Sequence, residues 1–587
     1  MNKTAAAGFA ALFCLLFISI YFYGIRWGIP SKERVKYVLN GNYAADKFYD
    51  IMSESRQEIY SVSGRSPLGR LNTGGQEKIS PVSKISGADK HGKIFYRGEI
   101  NILSNFIRPY LLRTNHTDEQ MSLNALSVME PARLDFNPRM FQYGGAYIYG
   151  LGAYLGFLHI VKAVKITPDL KYYLKNPDEM GGIFVAGRAL NIFFYFASVL
   201  AVYFIIKNLY GSNMGFISSF IFAFCPAVYF QTHIMKPYIQ SLFFLILSVM
   251  FALEINKNRY SARNNILCGI FSGLTIGTMP AYFVFLFFNM ILIMDLKSGK
   301  KSNILFTVAC AAFIMFAITN PYALLHFNEF IAEFSGTGGI YFNNADIIAA
   351  IKFFLLQIPL GVSTPVFALF TVSFISSFFL ADRFLKITSI YTMIVLLLWS
   401  FVLKTQPFSI HNSRFLLPGF FLMIICVSGF FHRFKLIKTP IKQYLLYAAL
   451  LIAALNCSVI AKNLYLDGTM NSTRLIAAEW IENNVPFGAT IGLDYMPEPA
   501  HCPPLDFTKY KINIYLEKPD NVPDYFIIVG GASRFQEFLT KNGYAVAGNF
   551  LPAESMFGVG YHMGSTHINS PVYIYGKEKN VRNIRQD

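Results

Sequence analysis

Two adjacent acids, Asp118 and Glu119, stand in a long polar stretch between apolar runs. A carboxylate within hydrogen-bonding reach of a hydroxyl can act as a general base, which contributes roughly 10²–10⁴-fold to a transfer reaction. The same residues also fit a helix start, because Thr117 with Gln120 three residues later resembles a capping box and acids favour the first helical turn. From the local pattern alone, the helix start is the favoured interpretation.

A second acidic pair, Asp178 and Glu179, follows Pro177 and precedes two glycines and a long apolar run. Acids at the start of a helix are stabilised by the helix dipole. We therefore expect this pair to cap the following helix, and it remains the rival of Asp118 for the role of base.

Several cations lie beside apolar runs, where they could bind a lipid phosphate through charge-assisted hydrogen bonds. Any one of them also fits an interfacial, snorkelling side chain. The candidates are Arg188, His233, Lys236, Lys404, His411 and Arg414, with Lys404 and Arg414 favoured. His116 and Tyr143 are further candidate substrate contacts.

The composition indicates a membrane protein. Charged residues make up 14% of the chain and hydrophobic residues 54%, whereas soluble domains average about 25% charged residues. Apolar runs recur along the chain, and each is long enough to cross a hydrocarbon core of about 30 Å. The net charge of +17 fits the Lys and Arg that collect in cytoplasmic loops, and no nucleic-acid partner is expected. The cysteines and histidines show no CxxC or HExxH spacing, so no metal site is predicted.

We predict eleven crossings with the N-terminus inside, at 7–24, 183–207, 212–230, 238–255, 264–279, 281–296, 303–321, 358–380, 387–402, 415–431 and 443–461. The first is expected to be an uncleaved anchor, because no small-x-small cleavage site follows it. Basic residues collect in inner loops. The inner loops hold Lys207, Lys257, Arg259, Arg263, Lys297, Lys300, Lys301, Arg383, Lys386, Arg433, Lys435, Lys438 and Lys442, whereas the short outer loops hold only Lys236, Lys352, Lys404 and Arg414.

Segment 143–163 is long enough to cross, but it is rich in glycine and tyrosine. A crossing there would invert every later loop and reverse the charge bias, so we predict a juxtamembrane element on the outer surface. A transmembrane domain over 1–465 then has two large outer loops, at 25–182 and 322–357. A soluble extracytoplasmic domain follows over 466–587.

The pattern of this C-terminal domain predicts a small α/β fold. Strands are expected at 489–493, 510–515, 525–530, 544–551 and 572–575, and helices at 472–484 and 535–543. The domain contains no nucleophile elbow and no Gly-rich phosphate loop. We expect it to support or recognise an acceptor rather than to catalyse.

The order and sidedness of these motifs resemble the GT-C superfamily of membrane glycosyltransferases, especially protein O-mannosyltransferases and aminoarabinose transferases. In that family an acidic motif after the first transmembrane helix precedes a proline and a tyrosine, as Asp118 here precedes Pro138 and Tyr143. The string His411-x-x-Arg414-Phe-Leu-Leu-Pro is similar to a further family element. The resemblance covers the layout of residues 1–465 and implies that Asp118 occupies the catalytic acidic position, with Glu119 as its neighbour.

The chain departs from many GT-C relatives because the outer turn from His233 to Tyr238 holds no carboxylate. A two-carboxylate metal site is therefore not expected, and no cofactor or required metal is predicted.

These observations favour an inverting glycosyltransferase of the inner or plasma membrane. It would move a hexose or pentose from a polyprenyl- or dolichyl-phosphate carrier to a hydroxyl of a protein, lipid or glycan on the outer face. A multispanning lipid or solute transporter or flippase is the alternative, although no inverted repeat is evident. A scaffold whose exported domain recruits partners is a third interpretation.

Overall fold

The computed structural model describes residues 19–38, 49–50, 53 and 107–577, apart from 258–260, 297–299, 342–345, 380–381, 434–438, 496, 508, 516–521, 531–534, 557 and 565–566. Most of the predicted anchor and residues 54–106 of the first outer loop lie outside these residues. The helices are α1 Lys32–Lys36, α2 Glu119–Ser127, α3 Gly145–Ile160, α4 Leu170–Lys175, α5 Pro177–Tyr210, α6 Ser212–Ala223, α7 Pro226–Thr232, α8 Tyr238–Asn256, α9 Ala262–Thr278, α10 Phe287–Met294, α11 Lys301–Thr319, α12 Pro321–Leu325, α13 Phe327–Tyr341, α14 Ile347–Val362, α15 Thr364–Ser377, α16 Arg383–Leu403, α17 Leu417–Arg433, α18 Thr439–Asp467, α19 Thr473–Asn484 and α20 Gln536–Lys541.

The chain is an integral membrane protein that crosses the bilayer several times. In the described part, five helices (α5, α8, α11, α16 and α18) are long and apolar enough to span, or up to seven if each of two bent pairs counts as one span. Large apolar side chains on α11, including Phe306 and Phe313, are mostly exposed. Such exposure suits a lipid surround, because hydrocarbon imposes no penalty on apolar surface.

The two bent pairs correct part of the predicted layout. The predicted span 358–380 is not one helix, because α14 ends before Ser363 and α15 leaves at 118°. Ser363 has a φ of 77°, which cannot continue a right-handed helix. Helices α6 and α7 also meet at 61°, where Pro226 removes a backbone donor. The number of eleven crossings stays a prediction.

Contacts between loops define two ends of the helical bundle. At one end, Lys257 donates to the Asn208 carbonyl. At this end Arg383 also pairs with Asp295, and Arg433 pairs with Asp382. The other end carries the first described loop, the turn around Lys236 and the turn from Ile410 to Phe415. The predicted inner and outer loops are therefore separated as the charge bias required, whereas which end faces outward stays a prediction.

Segment 143–163 forms α3, whose N-terminus is fixed at this second end. Gly144 N donates to the Thr278 carbonyl over 3.0 Å, and Gly145 N donates to Asn320 Oδ1 over 2.6 Å. A Cβ on Gly144 would lie 1.9 Å from the Gly277 carbonyl oxygen, so only glycine permits this approach. The juxtamembrane position of the segment stays a prediction.

The C-terminal domain has the α/β fold that its pattern predicted. Its main sheet comprises β1 Thr490–Leu493, β2 Lys511–Ile514, β3 Tyr525–Val529, β4 Tyr544–Phe550 and β7 Val572–Lys577, and a small ribbon comprises β5 Ser555–Met556 and β6 Val559–Gly560. The strand order is β2-β1-β3-β7-β4, with β1 parallel to β2 and β3, and β7 antiparallel to β3 and β4. Helices α19 and α20 follow the predicted helical patterns closely.

This domain packs directly on the helical bundle. Ile410 N donates to the Met563 carbonyl over 3.0 Å, and the Tyr561 hydroxyl donates to the Leu360 carbonyl over 2.6 Å. Asp467, at the end of α18, accepts from Asn115 of the first loop. The loop, the bundle and the C-terminal domain thus meet around residues 115–119.

Candidate active site

Helix α2 begins immediately after Asp118, which is its N-cap residue but makes no capping hydrogen bond. The capping by Thr117 that the sequence suggested is therefore not what the side chains do. Asp118 Oδ2 instead pairs with Lys236 Nζ, and the Asp118 side chain remains 37% exposed whereas Lys236 is 1% exposed. The Asp118 carboxylate therefore pairs with a buried ammonium and does not cap the helix.

The charges around Asp118 keep it ionised. Burial by itself would raise the pKa of its carboxyl, but the charges of Lys236 and Arg414 outweigh that effect and hold the pKa well below its usual range. Lys236 also lies 5.7 Å from the centre of the Tyr143 ring and 5.4 Å from that of Tyr238.

Glu119 lies in a different environment, fully buried against Arg188. Arg188 Nε and Nη2 donate to its two oxygens over 2.9 and 2.7 Å. Met235 N and Thr114 Oγ1 also donate to this carboxylate, over 2.7 and 2.6 Å. Because two carboxylate oxygens offer about four acceptor positions, Glu119 has no capacity left for a substrate.

The guanidinium of Arg188 is likewise occupied by contacts within the protein. Its Nη1 donates to the carbonyl oxygens of Ile25 and Trp27, and its guanidinium lies 4.7 Å from the Trp27 ring centre. This residue joins α5 to the first loop, and it is not positioned to bind a lipid phosphate as the sequence suggested. The same contacts hold the loop that carries Asp118.

Arg414 is the second cation that acts on the Asp118 carboxylate. Its Nη1 donates to Asn412 Oδ1 over 2.9 Å, and its carbonyl accepts from the Tyr282 hydroxyl over 2.6 Å. Its guanidinium lies 5.0 Å from the Phe415 ring centre. Asp118, Lys236 and Arg414 therefore form one charged group, to which Tyr143 and Tyr238 contribute aromatic walls.

The remaining predicted residues are placed apart from this group. Lys404 Nζ donates to the Phe401 carbonyl on its own helix. His233 is fully buried, with its ring nitrogens 2.9 and 2.8 Å from the carbonyl oxygens of Tyr229 and Tyr21. Asp178 accepts from Lys32 N, and Glu179 points to the exposed side of α5. None of these contacts joins the Asp118–Lys236 pair.

His116 and His411 are brought together, with His116 Nε2 3.1 Å from His411 Nδ1. A third histidine, His567 of the C-terminal domain, completes a cluster with ring centres 4.8 Å and 5.0 Å from those of His116 and His411. Burial lowers the pKa of each of them, to about 3 for His567, so the rings are neutral.

Sequence reasoning missed His567, Tyr238 and Tyr282. His567 follows Gly-Ser-Thr in the sequence with no metal-type spacing, so only the docking of the C-terminal domain reveals it. Tyr238 lies two residues after Lys236. It could have been predicted from the sequence as a contact of that lysine, because aromatic side chains often accompany cations at membrane surfaces.

Comparisons with known proteins give neighbours only among solved structures. No family model matches the chain, and no curated protein matches it. ArnT from Cupriavidus metallidurans bound to undecaprenyl phosphate aligns over 97% of this chain and 98% of that chain, with 9% identity and a TM-score of 0.41. An Archaeoglobus fulgidus oligosaccharyltransferase tethered to an acceptor peptide aligns over 59% of this chain and 49% of that chain, with 14% identity and a TM-score of 0.33. Both are glycosyltransferases of the GT-C fold. The proposals below rest on this chain's own residues.

Proposed function

We propose that this chain is a membrane glycosyltransferase that uses a polyprenyl-phosphate-linked sugar as donor. The observation that carries the proposal is the Asp118–Lys236 pair, because it combines a partly exposed carboxylate with a buried cation at one end of the bundle. Arg414 supplies a second cation to the same group. A base beside phosphate-binding cations is what transfer from a lipid phosphate requires.

In the proposed reaction, Asp118 accepts the proton of an acceptor hydroxyl while the hydroxyl oxygen attacks the anomeric carbon. The bond between that carbon and the phosphate oxygen breaks, and the lipid phosphate leaves with the electron pair. Lys236 and Arg414 stabilise the negative charge that develops on the leaving phosphate. One displacement inverts the anomeric centre, and no metal takes part in this step.

The ion pair has a further role in this scheme. A bound phosphate shares the Lys236 ammonium with Asp118, so the carboxylate oxygen becomes available to the acceptor. The resting pair therefore holds the base in place until the donor arrives.

The site lies at the end that the charge bias places on the outer face of the inner or plasma membrane. Donor sugars carried on polyprenyl or dolichyl phosphate, hexose or pentose, fit the cations equally. The C-terminal domain contacts the loop that carries Asp118 through the rings of His567 and His116, so we assign it to acceptor selection.

The proposal is tested with purified protein in detergent. A panel of polyprenyl-phosphate sugars is supplied with a membrane extract as acceptor source, and released polyprenyl phosphate is measured by mass spectrometry. We expect release by the wild type and a loss of about 10²-fold in Arg414→Gln. Arg433→Gln, which removes the same charge at the opposite end of the bundle, should behave like the wild type.

Equal release by all three proteins would remove Arg414 from the site. Transport across sealed vesicles without any release in detergent would instead establish the transporter alternative, because transport requires two compartments and transfer does not.

A further inference from the structure

Three histidines from three separate parts of the chain converge beside the Asp118 loop. His116 comes from the first loop, His411 from the turn before α17, and His567 from the C-terminal domain. One ligand nitrogen from each ring lies within 4.8 Å of the other two. They are far apart in sequence, so only the assembled fold brings them together.

The spacing is close to that of a metal site. Two nitrogens bound to a tetrahedral zinc at about 2.0–2.1 Å lie roughly 3.3 Å apart. His116 Nε2 and His411 Nδ1 are already 3.1 Å apart, and His567, the least buried of the three, needs to approach by roughly 1.5 Å to reach the same separation.

We propose that His116, His411 and His567 form a binding site for a transition-metal dication, with zinc as the best fit. Three neutral imidazoles suit zinc and leave a fourth tetrahedral position for water or an anionic oxygen. The ion would join the first loop, the bundle and the C-terminal domain at one point. Its role would be to hold that domain against the loop that carries Asp118.

The charges near the cluster act in both directions. The Asp118 carboxylate acts on His116 and His567 and would attract a dication, whereas Lys236, Arg414 and Arg474 would oppose it. The proposed site is separate from the transfer step, for which no metal is required, so it stands or falls independently of the glycosyltransferase proposal.

The experiment measures metal in the full-length protein without donor or acceptor. After exchange into metal-free buffer and addition of zinc, we expect about one zinc per chain in the wild type by mass spectrometry. His411→Ala and His567→Ala should fall to background, and zinc should raise the Tm of the wild type but not of these variants. His562→Ala is the matched control, because His562 is exposed in the same domain and should behave like the wild type.

A second variant guards against misfolding of the alanine proteins. His567→Cys keeps a metal ligand, so cobalt(II) bound to it should show a thiolate charge-transfer band that the wild type lacks. Background zinc and an unchanged Tm in the wild type would overturn the proposal. Zinc that is retained in His567→Ala, or a His567→Cys protein without the cobalt band, would overturn it as well.

Discussion

Asp118 and Glu119 are adjacent carboxylates with opposite environments. Glu119 is fully buried and accepts four hydrogen bonds, two of them from Arg188. Asp118 is partly exposed and its pair with Lys236 does not saturate it. A saturated carboxylate fixes the loop in place, whereas an unsaturated one remains able to accept a proton. In the proposed function, Glu119 therefore has a structural role and Asp118 acts as the base.

The largest expected effect is the loss of transfer in Asp118→Asn. The amide keeps the shape of the side chain but cannot accept the acceptor's proton, so kcat should fall by roughly 10²–10⁴-fold. The melting temperature should fall less than in Glu119→Gln, because the Asp118 side chain is 37% exposed, and kcat is compared per folded molecule. Steady-state release of polyprenyl phosphate in detergent measures the effect, and Asp178→Asn is the control. Normal turnover in Asp118→Asn combined with a loss in Asp178→Asn would exchange the two roles.

Glu119→Gln should lower the stability and leave the turnover nearly unchanged, because it leaves Arg188 buried without its counter-charge. Removing one partner of a buried ion pair costs about 3–5 kcal/mol. Thermal unfolding in detergent should show a markedly lower Tm, while kcat per folded molecule stays within a few-fold of the wild type. If the variant were stable but inactive, Glu119 would belong to the chemistry after all.

A smaller effect separates the two lysines that the sequence placed at the phosphate. Lys236→Gln should raise the donor KM roughly 10- to 100-fold, because its ammonium lies beside Asp118, where one lost charged contact costs about 1.5–3 kcal/mol. Lys404→Gln should change KM less, since Lys404 donates to Phe401 on its own helix. The measurement is the donor-concentration dependence of both variants. Equal shifts would place Lys404 at the site with Lys236.

A third carboxylate, Glu333 of α13, is expected to make the stability of the protein depend on pH. It is buried and accepts from the backbone N–H groups of Phe141 and Gln142, yet burial raises its pKa to about 7. The unfolded value is about 4.3, so its contribution to stability is complete below that pH and is lost as the pH rises through about 7.

The Tm of the wild type should therefore fall between pH 5 and pH 8 by more than that of Glu333→Gln, whose amide does not titrate. Glu537→Gln, at an exposed ion pair, should retain the wild-type slope. Identical slopes in the wild type and Glu333→Gln would show that Glu333 does not titrate in this range.

Much of the fold follows from local patterns. Each predicted strand of the C-terminal domain overlaps an observed one, because alternation of apolar residues and turn signals are local properties. Helix α9 also ends at Thr278, beside the predicted boundary between the spans 264–279 and 281–296. The span drawn through Ser363 was wrong, because apolar composition is the same on both sides of a sharp bend and does not reveal it.

The site was less accessible to sequence reasoning. Lys236, Arg414 and Asp118 were named together because loop charges placed them at one end of the bundle. Arg188 and Lys404 were named for the same reason, yet their side chains are used by Glu119 and by the Phe401 carbonyl. Sidedness restricts a cation to a membrane face but does not specify its partner.

The sequence by itself determined the membrane class, the segregation of basic loops and the α/β domain, since each depends on composition or short periodicity. Only the tertiary structure decided which acid of the Asp118-Glu119 pair is saturated, and only it brought His567 to His116 and His411. Those outcomes depend on contacts between residues up to several hundred positions apart. Such contacts arise from packing of whole helices and domains, and no local pattern encodes them.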